Sequence, residues 1–252
     1  VPLLIYYTYM LTILLHSSKT MKAPTKDAPA PSQQPALQAQ AEQLAAYLKG
    51  LTVEQLQKVM QLSPAMAVKT RQLVQDWNIS SPTLPALDIF LGDIYSGLQV
   101  QTFTDADRDY ANQHLYILSG LYGVLKALDT VQPYRLEMGY KLPDYPTLYQ
   151  FWGKVIADQL PKNQPIINLS AVEYTKAVFP HLAASGQPEG VQVISPKFLT
   201  VSPKTGEPAF VTVHAKIARG AYAGWLIKNR IADLQGLKGF AELGYRYNSS
   251  LS

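Results

Sequence analysis

The chain has 252 residues, of which 22 are Lys or Arg and 18 are Asp or Glu, so its formal charge is +4. With 47% hydrophobic residues, this length can bury the core of one large domain or of two small ones. The chain has no cysteine, which excludes disulfides, thiolate nucleophiles and cysteine-based metal sites and is typical of a reducing cytoplasm. The mild excess of positive charge favours an anionic partner only weakly.

The N-terminal stretch "VPLLIYYTYMLTILL" is apolar through Leu15. No Lys or Arg precedes it, and it is shorter than the roughly 20 residues of a membrane-spanning helix, so neither a signal peptide nor a membrane anchor is favoured. We interpret residues 1–9 as a possible upstream extension and Met10 as a candidate start. The segment "MLTILL" is then a buried first strand, and the domain covers residues 10–252.

The next part of the chain predicts helices. Residues 22–35, "KAPTKDAPAPSQQP", are rich in proline and predict a surface loop. The segment "LQAQAEQLAAYLKGL" has a helical period and ends at a glycine, and Thr52 with Gln55 forms a capping box for a second helix. Ser63 followed by Pro64 predicts the start of a third helix.

The middle of the chain predicts one short strand and a helix that ends at a glycine. The apolar run Leu87–Leu91 is interpreted as a strand. Thr104 and Asp107 resemble a capping pair, and the helix that they begin is expected to continue through Leu118. Gly120 would then end that helix.

A glycine turn follows directly, in "LSGLYGVLKALD". Gly120 and Gly123 are spaced as in a tight turn between two helices, the outline of a helix-hairpin-helix module. Such a turn lets backbone N–H groups approach a phosphate, and Lys126 could reach a neighbouring one. The alternative is a simple corner between helices with Gly120 as a cap.

The rest of the chain mixes both element types. Helices are predicted for "LYQFWGKVIADQL", "EYTKAVF" and "AKIARGAYAGWLIKNRI", and strands for "PIINL", "VQVI", "KFLTV" and "AFVTVH". The last two strands flank "PKTGEP" and predict a hairpin. Because strands and helices alternate irregularly, we expect one mixed α+β domain and not a doubly wound sheet.

Three segments carry candidate site residues. Lys19 follows the first strand in "LHSSKT", where a site often forms, although an exposed loop lysine would look the same. Arg135 and Glu137 lie two apart in an extended segment and share a face, either as a structural ion pair or as an anion clamp with a proton-transfer group. Lys216 and Arg219 share a helix face that would suit phosphate or be a solvated cationic surface.

Several chemistries lack their motifs. The sequence contains no phosphate-binding P-loop, no glycine fingerprint for dinucleotides and no nucleophile elbow. Its four histidines have no paired spacing, so no metal or other cofactor is predicted.

The chain resembles the YaaA family of bacterial peroxide stress proteins. The resemblance rests on five segments in the family's order and spacing: "GDIYSGL" (92–98), "LSGLYGVLKALDTVQPYRLEMG" (118–139), "LYQFWG" (148–153), "INLSAVEYTK" (167–176) and "AKIARG" (215–220). It implies a family-specific α+β fold with a positively charged cleft, a helix-hairpin-helix-like element and a cytoplasmic role in peroxide defence through DNA binding and lower free iron.

By this resemblance, one set of residues would contact the phosphates of DNA without strong sequence preference: Lys19, Gly120, Gly123, Lys126, Arg135, Lys216 and Arg219. No cofactor or membrane is implied, and we expect a monomer. The alternative is an enzyme acting on a nucleobase or nucleotide in the same cleft, with Lys19, Arg135 and Glu137 as candidate catalytic residues.

The sequence also departs from the family pattern. His16-Ser17-Ser18 stands before Lys19 where the family usually has Ser-Pro-Ala, Leu91 and Ile217 replace lysines, and Ala127 replaces a proline. The chain ends at "GYRYNSSLS", before the family's last segment. These departures predict weaker DNA affinity than the family pattern would give.

Overall fold

The computed structural model describes residues 10–25, 33–78, 83–182 and 191–251. The strands, in chain order, are β1 (Thr12–His16), β2 (Leu84–Pro85), β3 (Leu115–Ser119), β4 (Gly123–Lys126), β5 (Thr130–Val131), β6 (Ile166–Asn168), β7 (Val193–Ile194), β8 (Thr200–Val201) and β9 (Pro208–Ala209). The α-helices are α1 (Gln38–Lys49), α2 (Val53–Met60), α3 (Pro64–Asp76), α4 (Ala86–Ile89), α5 (Asp93–Leu98), α6 (Asp105–His114), α7 (Leu148–Trp152), α8 (Val155–Asp158), α9 (Val172–Thr175), α10 (Phe179–Leu182) and α11 (Thr212–Lys228).

A five-stranded sheet in the order β4-β3-β1-β6-β7 forms the centre of the fold. β1 pairs in parallel with β3 and with β6, β6 pairs in parallel with β7, and only β4 is antiparallel. All five residues of β1 are buried, and its apolar centre Ile13–Leu15 is what a central parallel strand requires. The predicted first strand is therefore confirmed. The fold is mixed, as predicted, but its central sheet has more parallel strand pairs than the irregular order of elements suggested.

The locally encoded helix starts are confirmed. Thr52 and Gln55 exchange both hydrogen bonds of a capping box, and Thr104 and Asp107 do the same at the start of α6. The Ser63 hydroxyl accepts a hydrogen bond from the backbone of Met66 at the start of α3. These interactions need only neighbouring residues, so the sequence predicts them well.

Two element types were predicted wrongly. Leu87–Leu91 is not a strand, because Ala86–Ile89 forms α4 and only Phe90 makes an isolated bridge, to Met21. The helix that begins at Thr104 ends at His114, and Leu115–Ser119 is β3. The apolar run of β3 satisfies its backbone by pairing with β1 and β4, and this long-range pairing overrides the helical spacing of its apolar residues.

Other elements differ in extent. The helix predicted over "LYQFWGKVIADQL" is two short helices, α7 and α8, separated at Gly153, whose φ of 46° lies in the left-handed region. The hairpin β8–β9 lies where it was predicted but is only two residues long on each side. The following helix begins at Thr212, three residues earlier than predicted. In the described ranges, no helix combines the length and apolar character needed to cross a membrane.

Candidate functional site

The carboxyl ends of the central parallel strands meet at one edge of the sheet. His16 ends β1 and continues into Ser17, while β6 ends at Asn168 and continues into Ser170. In the sheet, β3 and β4 lie on one side of β1, and β6 and β7 lie on the other side. The chain therefore leaves β1 and β6 toward opposite halves of the sheet. Ligands bind at such a divergence in open parallel sheets, so this edge is the natural place for a site.

His16 joins the two strand ends. Its Nδ1 accepts a hydrogen bond from the backbone N–H of Ala171 at 3.2 Å and lies 3.3 Å from the Ser170 hydroxyl. Its ring stacks on Tyr174 with centroids 4.8 Å apart. Burial, together with the positive charges of Arg219 and Lys216, lowers the pKa of His16 to about 3. His16 is therefore neutral at physiological pH and, because Nδ1 is an acceptor, carries its proton on Nε2.

Glu137 and Lys19 meet at the same edge. The Lys19 Nζ lies 3.6 Å from Glu137 Oε2, and the Tyr174 hydroxyl donates a hydrogen bond to Glu137 Oε1 at 3.1 Å. Burial raises the pKa of Glu137, and Lys19 and Tyr174 oppose this rise only partly. Because half of the Lys19 side chain is exposed while Glu137 is largely covered, this pair lies at the boundary between core and solvent.

Arg135 faces the same side of the extended segment as Glu137 but does not pair with it. Burial alternates along the segment, with Tyr134 and Leu136 inside and Arg135 and Glu137 half-buried, as predicted. Among the described residues, the buried Arg135 Nε has no hydrogen-bond partner. The structure thus unites two of the three candidate catalytic residues, Lys19 and Glu137, and places Arg135 beside a shallow apolar groove that Trp77 also lines.

Lys216 and Arg219 approach the site from α11. Both are half-buried, and both lower the pKa of His16, so their charges act at the sheet edge. Burial also lowers the pKa of the Arg219 guanidinium. Within the ranges that the structure describes, neither side chain forms an ion pair with a carboxylate. These two cations can therefore hold an external anion.

A close contact between α5 and α11 sets the position of these cations. A Cβ built on Gly220 would lie 1.8 Å from the carbonyl oxygen of Ile94, and one on Gly97 would lie 2.0 Å from that of Ile217. The two helices thus touch backbone to backbone. This contact explains why the family-like segments around residues 92–98 and 215–220 are both rich in small residues.

The helix-hairpin-helix prediction is wrong at Gly120 and Gly123. These glycines form the buried turn between β3 and β4. A Cβ on Gly120 would lie 2.3 Å from the carbonyl oxygen of Leu136, and Gly123 has a φ of 68° with Trp152 beside it. Trp152 also donates its indole N–H to the Gly120 carbonyl at 3.2 Å. The structure gives these glycines a packing role and no exposed amides at this turn.

Lys126 lies apart from Lys19, Lys216 and Arg219. It is exposed at the end of the edge strand β4, where it pairs with Tyr116, whereas His16 pairs with Leu118 two residues further along β3. Lys126 lines a different pocket, together with Asp129 and Gln33.

Sequence reasoning placed the Ser17 hydroxyl at the end of the first strand but missed the other hydroxyl groups of the site, those of Tyr174, Ser119 and Ser170. Tyr174 touches both His16 and Glu137, and the buried Ser17, Ser119 and Ser170 occupy the strand ends. The available signal was positional, since each serine comes at or just after the end of a buried strand. Together these groups form a polar edge with a shielded carboxylate, a neutral imidazole and three cations.

Comparisons with known proteins agree with the family-like segments. A family model described as "Peroxide stress protein YaaA" matches residues 11–251. A curated protein of Salinispora tropica, described as "UPF0246 protein", is 51% identical over 245 residues, which cover 96% of this chain and 90% of that protein.

Proposed function

Because this chain belongs to the family of the peroxide stress protein YaaA, we propose that it acts in the cytoplasmic response to peroxide by binding DNA. Lys19, Lys216 and Arg219 would hold the phosphate backbone at the carboxyl edge of the sheet. DNA covered in this way would be shielded from damage driven by peroxide and iron.

The observation that carries this proposal is the pair Lys216 and Arg219, which have no acidic partner among the described residues and whose charges both act on neutral His16. Leaving two half-buried cations unpaired is unfavourable unless an anion neutralises them. An arginine can bind a phosphate through two parallel hydrogen bonds, and Lys19 can add a third charge. Contacts of this kind position a nucleic acid without reading its sequence.

Binding of labelled duplex DNA at low salt tests the proposal with a Lys216→Ala/Arg219→Ala double variant. Each lost hydrogen bond to a charged group is worth roughly 1.5–3 kcal/mol, so the loss of two should lower the affinity at least about a hundredfold. The matched control is Lys58→Ala/Lys69→Ala, which removes two exposed lysines from α2 and α3. Equal loss in both double variants, or loss in neither, would reject this site.

Acid–base catalysis on a nucleobase or nucleotide is the second candidate function. It is favoured by Glu137, a largely buried carboxylate with a raised pKa that Lys19 and Tyr174 both contact. A carboxylate whose pKa is raised in this way is a better proton acceptor than an ordinary one. The two functions differ at Glu137: its neutralisation in Glu137→Gln strengthens phosphate binding but removes the base.

A further inference from the structure

A continuous line of hydroxyl groups runs from the core to Glu137. The hydroxyls of Ser119 and Tyr134 are 2.6 Å apart, and those of Ser17 and Tyr174 are 3.4 Å apart. The Ser17 hydroxyl also acts on the Tyr134 phenol as a hydrogen-bonding neighbour, and Tyr174 donates to Glu137 at 3.1 Å. All four hydroxyl residues are buried, so water does not replace these bonds.

The direction of the line is set at both ends. At the inner end, the Ser119 oxygen accepts the backbone N–H of Tyr122 at 2.9 Å, so its own hydrogen is free to point to Tyr134. At the outer end, the proton of Tyr174 points to the Glu137 carboxylate. An order in which every hydroxyl donates one hydrogen bond toward Glu137 and accepts one from the preceding group satisfies both ends, and in that order each bond polarises the next.

Such a line has a chemical consequence for the two phenols. A tyrosine gives up an electron readily only if its phenolic proton can leave at the same time, because the oxidised phenol is a strong acid. Tyr174 has a carboxylate as its proton acceptor, and Tyr134 has Ser17 as a bridge to Tyr174. We propose that Tyr174 and Tyr134 are a redox pair that takes up a one-electron oxidising equivalent at the site and moves it into the core.

The first step balances in electrons and protons. A one-electron oxidant of the hydroxyl-radical class, which forms when hydrogen peroxide reacts with ferrous iron, takes one electron from Tyr174 and becomes hydroxide. The phenolic proton of Tyr174 moves to Glu137 Oε1. The products are a neutral tyrosyl radical and a protonated carboxyl group, so no charge is created inside the core.

In the second step the radical moves inward. Tyr134 gives one electron to the Tyr174 radical, the Tyr134 proton moves to Ser17, and the Ser17 proton moves to Tyr174. Tyr174 is restored as a phenol, and Tyr134 becomes the radical. The Tyr134 ring packs against the rings of Tyr122 and Phe90, with ring centroids 5.4 and 6.3 Å away. With only 6% of its surface exposed, Tyr134 holds the radical away from any nucleic acid at the site.

We call the transfer of the radical from Tyr174 through Ser17 to Tyr134 the relay. Electron paramagnetic resonance on the full chain, with 3,5-difluorotyrosine in place of Tyr134, tests it. A photo-oxidised ruthenium tris-bipyridine complex serves as the oxidant. A radical on residue 134 shows fluorine splitting that no other tyrosine of the chain can give. We expect this signal in the labelled protein, and we expect it to fall about tenfold in Ser17→Ala and in Glu137→Gln, the change that loss of one hydrogen bond of ~1.4 kcal/mol produces.

Ser96→Ala and Glu42→Gln are the matched controls, since they remove an exposed hydroxyl and an exposed carboxylate outside the relay. Circular dichroism verifies that each variant is folded. Absence of fluorine splitting in the labelled parent protein overturns the relay, and so does a signal that survives both relay substitutions. The relay goes beyond DNA binding, which this experiment does not involve, so the two proposals fail independently.

Discussion

His16 links the charge of the site to the stability of the sheet. Its folded-state pKa of about 3 lies below the ordinary value of 6.5, mainly because the ring is buried and also because Arg219 and Lys216 repel a proton. The unfolded chain therefore binds a proton at a higher pH than the folded chain does. This contribution to stability is fully present above pH 6.5 and is lost as the pH falls toward 3.

The pH dependence of unfolding in a His16→Gln variant checks this sign. Glutamine accepts the same hydrogen bonds but cannot titrate, so the variant should lose less stability in acid. Between pH 7 and pH 5, the wild-type protein should lose about 2 kcal/mol more than the variant. Urea unfolding at both pH values measures the difference. His214→Gln, which removes an exposed histidine, should follow the wild-type protein, and a His16→Gln slope equal to wild type would show that His16 titrates normally.

At the scale of elements, the contact between α5 and α11 positions the cations of the site. The Cβ of a Gly220→Ala variant would overlap the Ile94 carbonyl, a backbone atom that cannot rotate away. The helices must then separate, and such overpacking costs about 1–3 kcal/mol or more. We expect a lower midpoint of thermal unfolding and, because Lys216 and Arg219 shift with α11, weaker DNA binding.

Gly50→Ala is the control for this effect. Gly50 has an ordinary helical φ of −76°, and its added Cβ would lie 3.3 Å from the nearest atom, the Tyr47 carbonyl oxygen. Alanine there restricts the unfolded chain without forcing any element apart, so stability should change by less than about 1 kcal/mol. A Gly220→Ala protein as stable as Gly50→Ala would disprove the close contact.

The elements also show what the sequence can and cannot predict. Capping boxes at Thr52 and Thr104 are local and were predicted correctly, as was the first strand β1 with its apolar centre. β3 was not, because the short apolar run Leu115–Leu118 fits a helix as well as a strand until its partners are known. For the same reason the glycine turn after it was assigned to the wrong motif. At the site, two of the three residues that the sequence grouped, Lys19 and Glu137, lie together and Arg135 does not pair with them, and Tyr174 becomes relevant only through contacts with residues far away in sequence.

At the scale of the whole molecule, the sheet separates the cations into two places. Lys19 follows β1, and Lys216 and Arg219 act on His16 at the end of that strand. Lys126 lies on β4, two strands from β1, which corresponds to about 10 Å across the sheet. It also pairs with a residue nearer the beginning of β3. DNA bound at the carboxyl edge should therefore not need Lys126.

The salt dependence of the proposed DNA binding counts the phosphates that the protein contacts. Three neutralised phosphates, one each at Lys19, Lys216 and Arg219, predict a slope of about −3 for the logarithm of the binding constant against the logarithm of salt concentration, because each contact releases counterions. Lys216→Ala should reduce the size of the slope by about 1, whereas Lys126→Ala should leave it unchanged. Titration of duplex binding over a range of salt concentrations measures both. If the slope were reduced only in Lys126→Ala, the result would contradict this site and place the DNA at the β4 edge. The reason is that counterion release depends on which cations contact phosphate and not on the total charge of the chain.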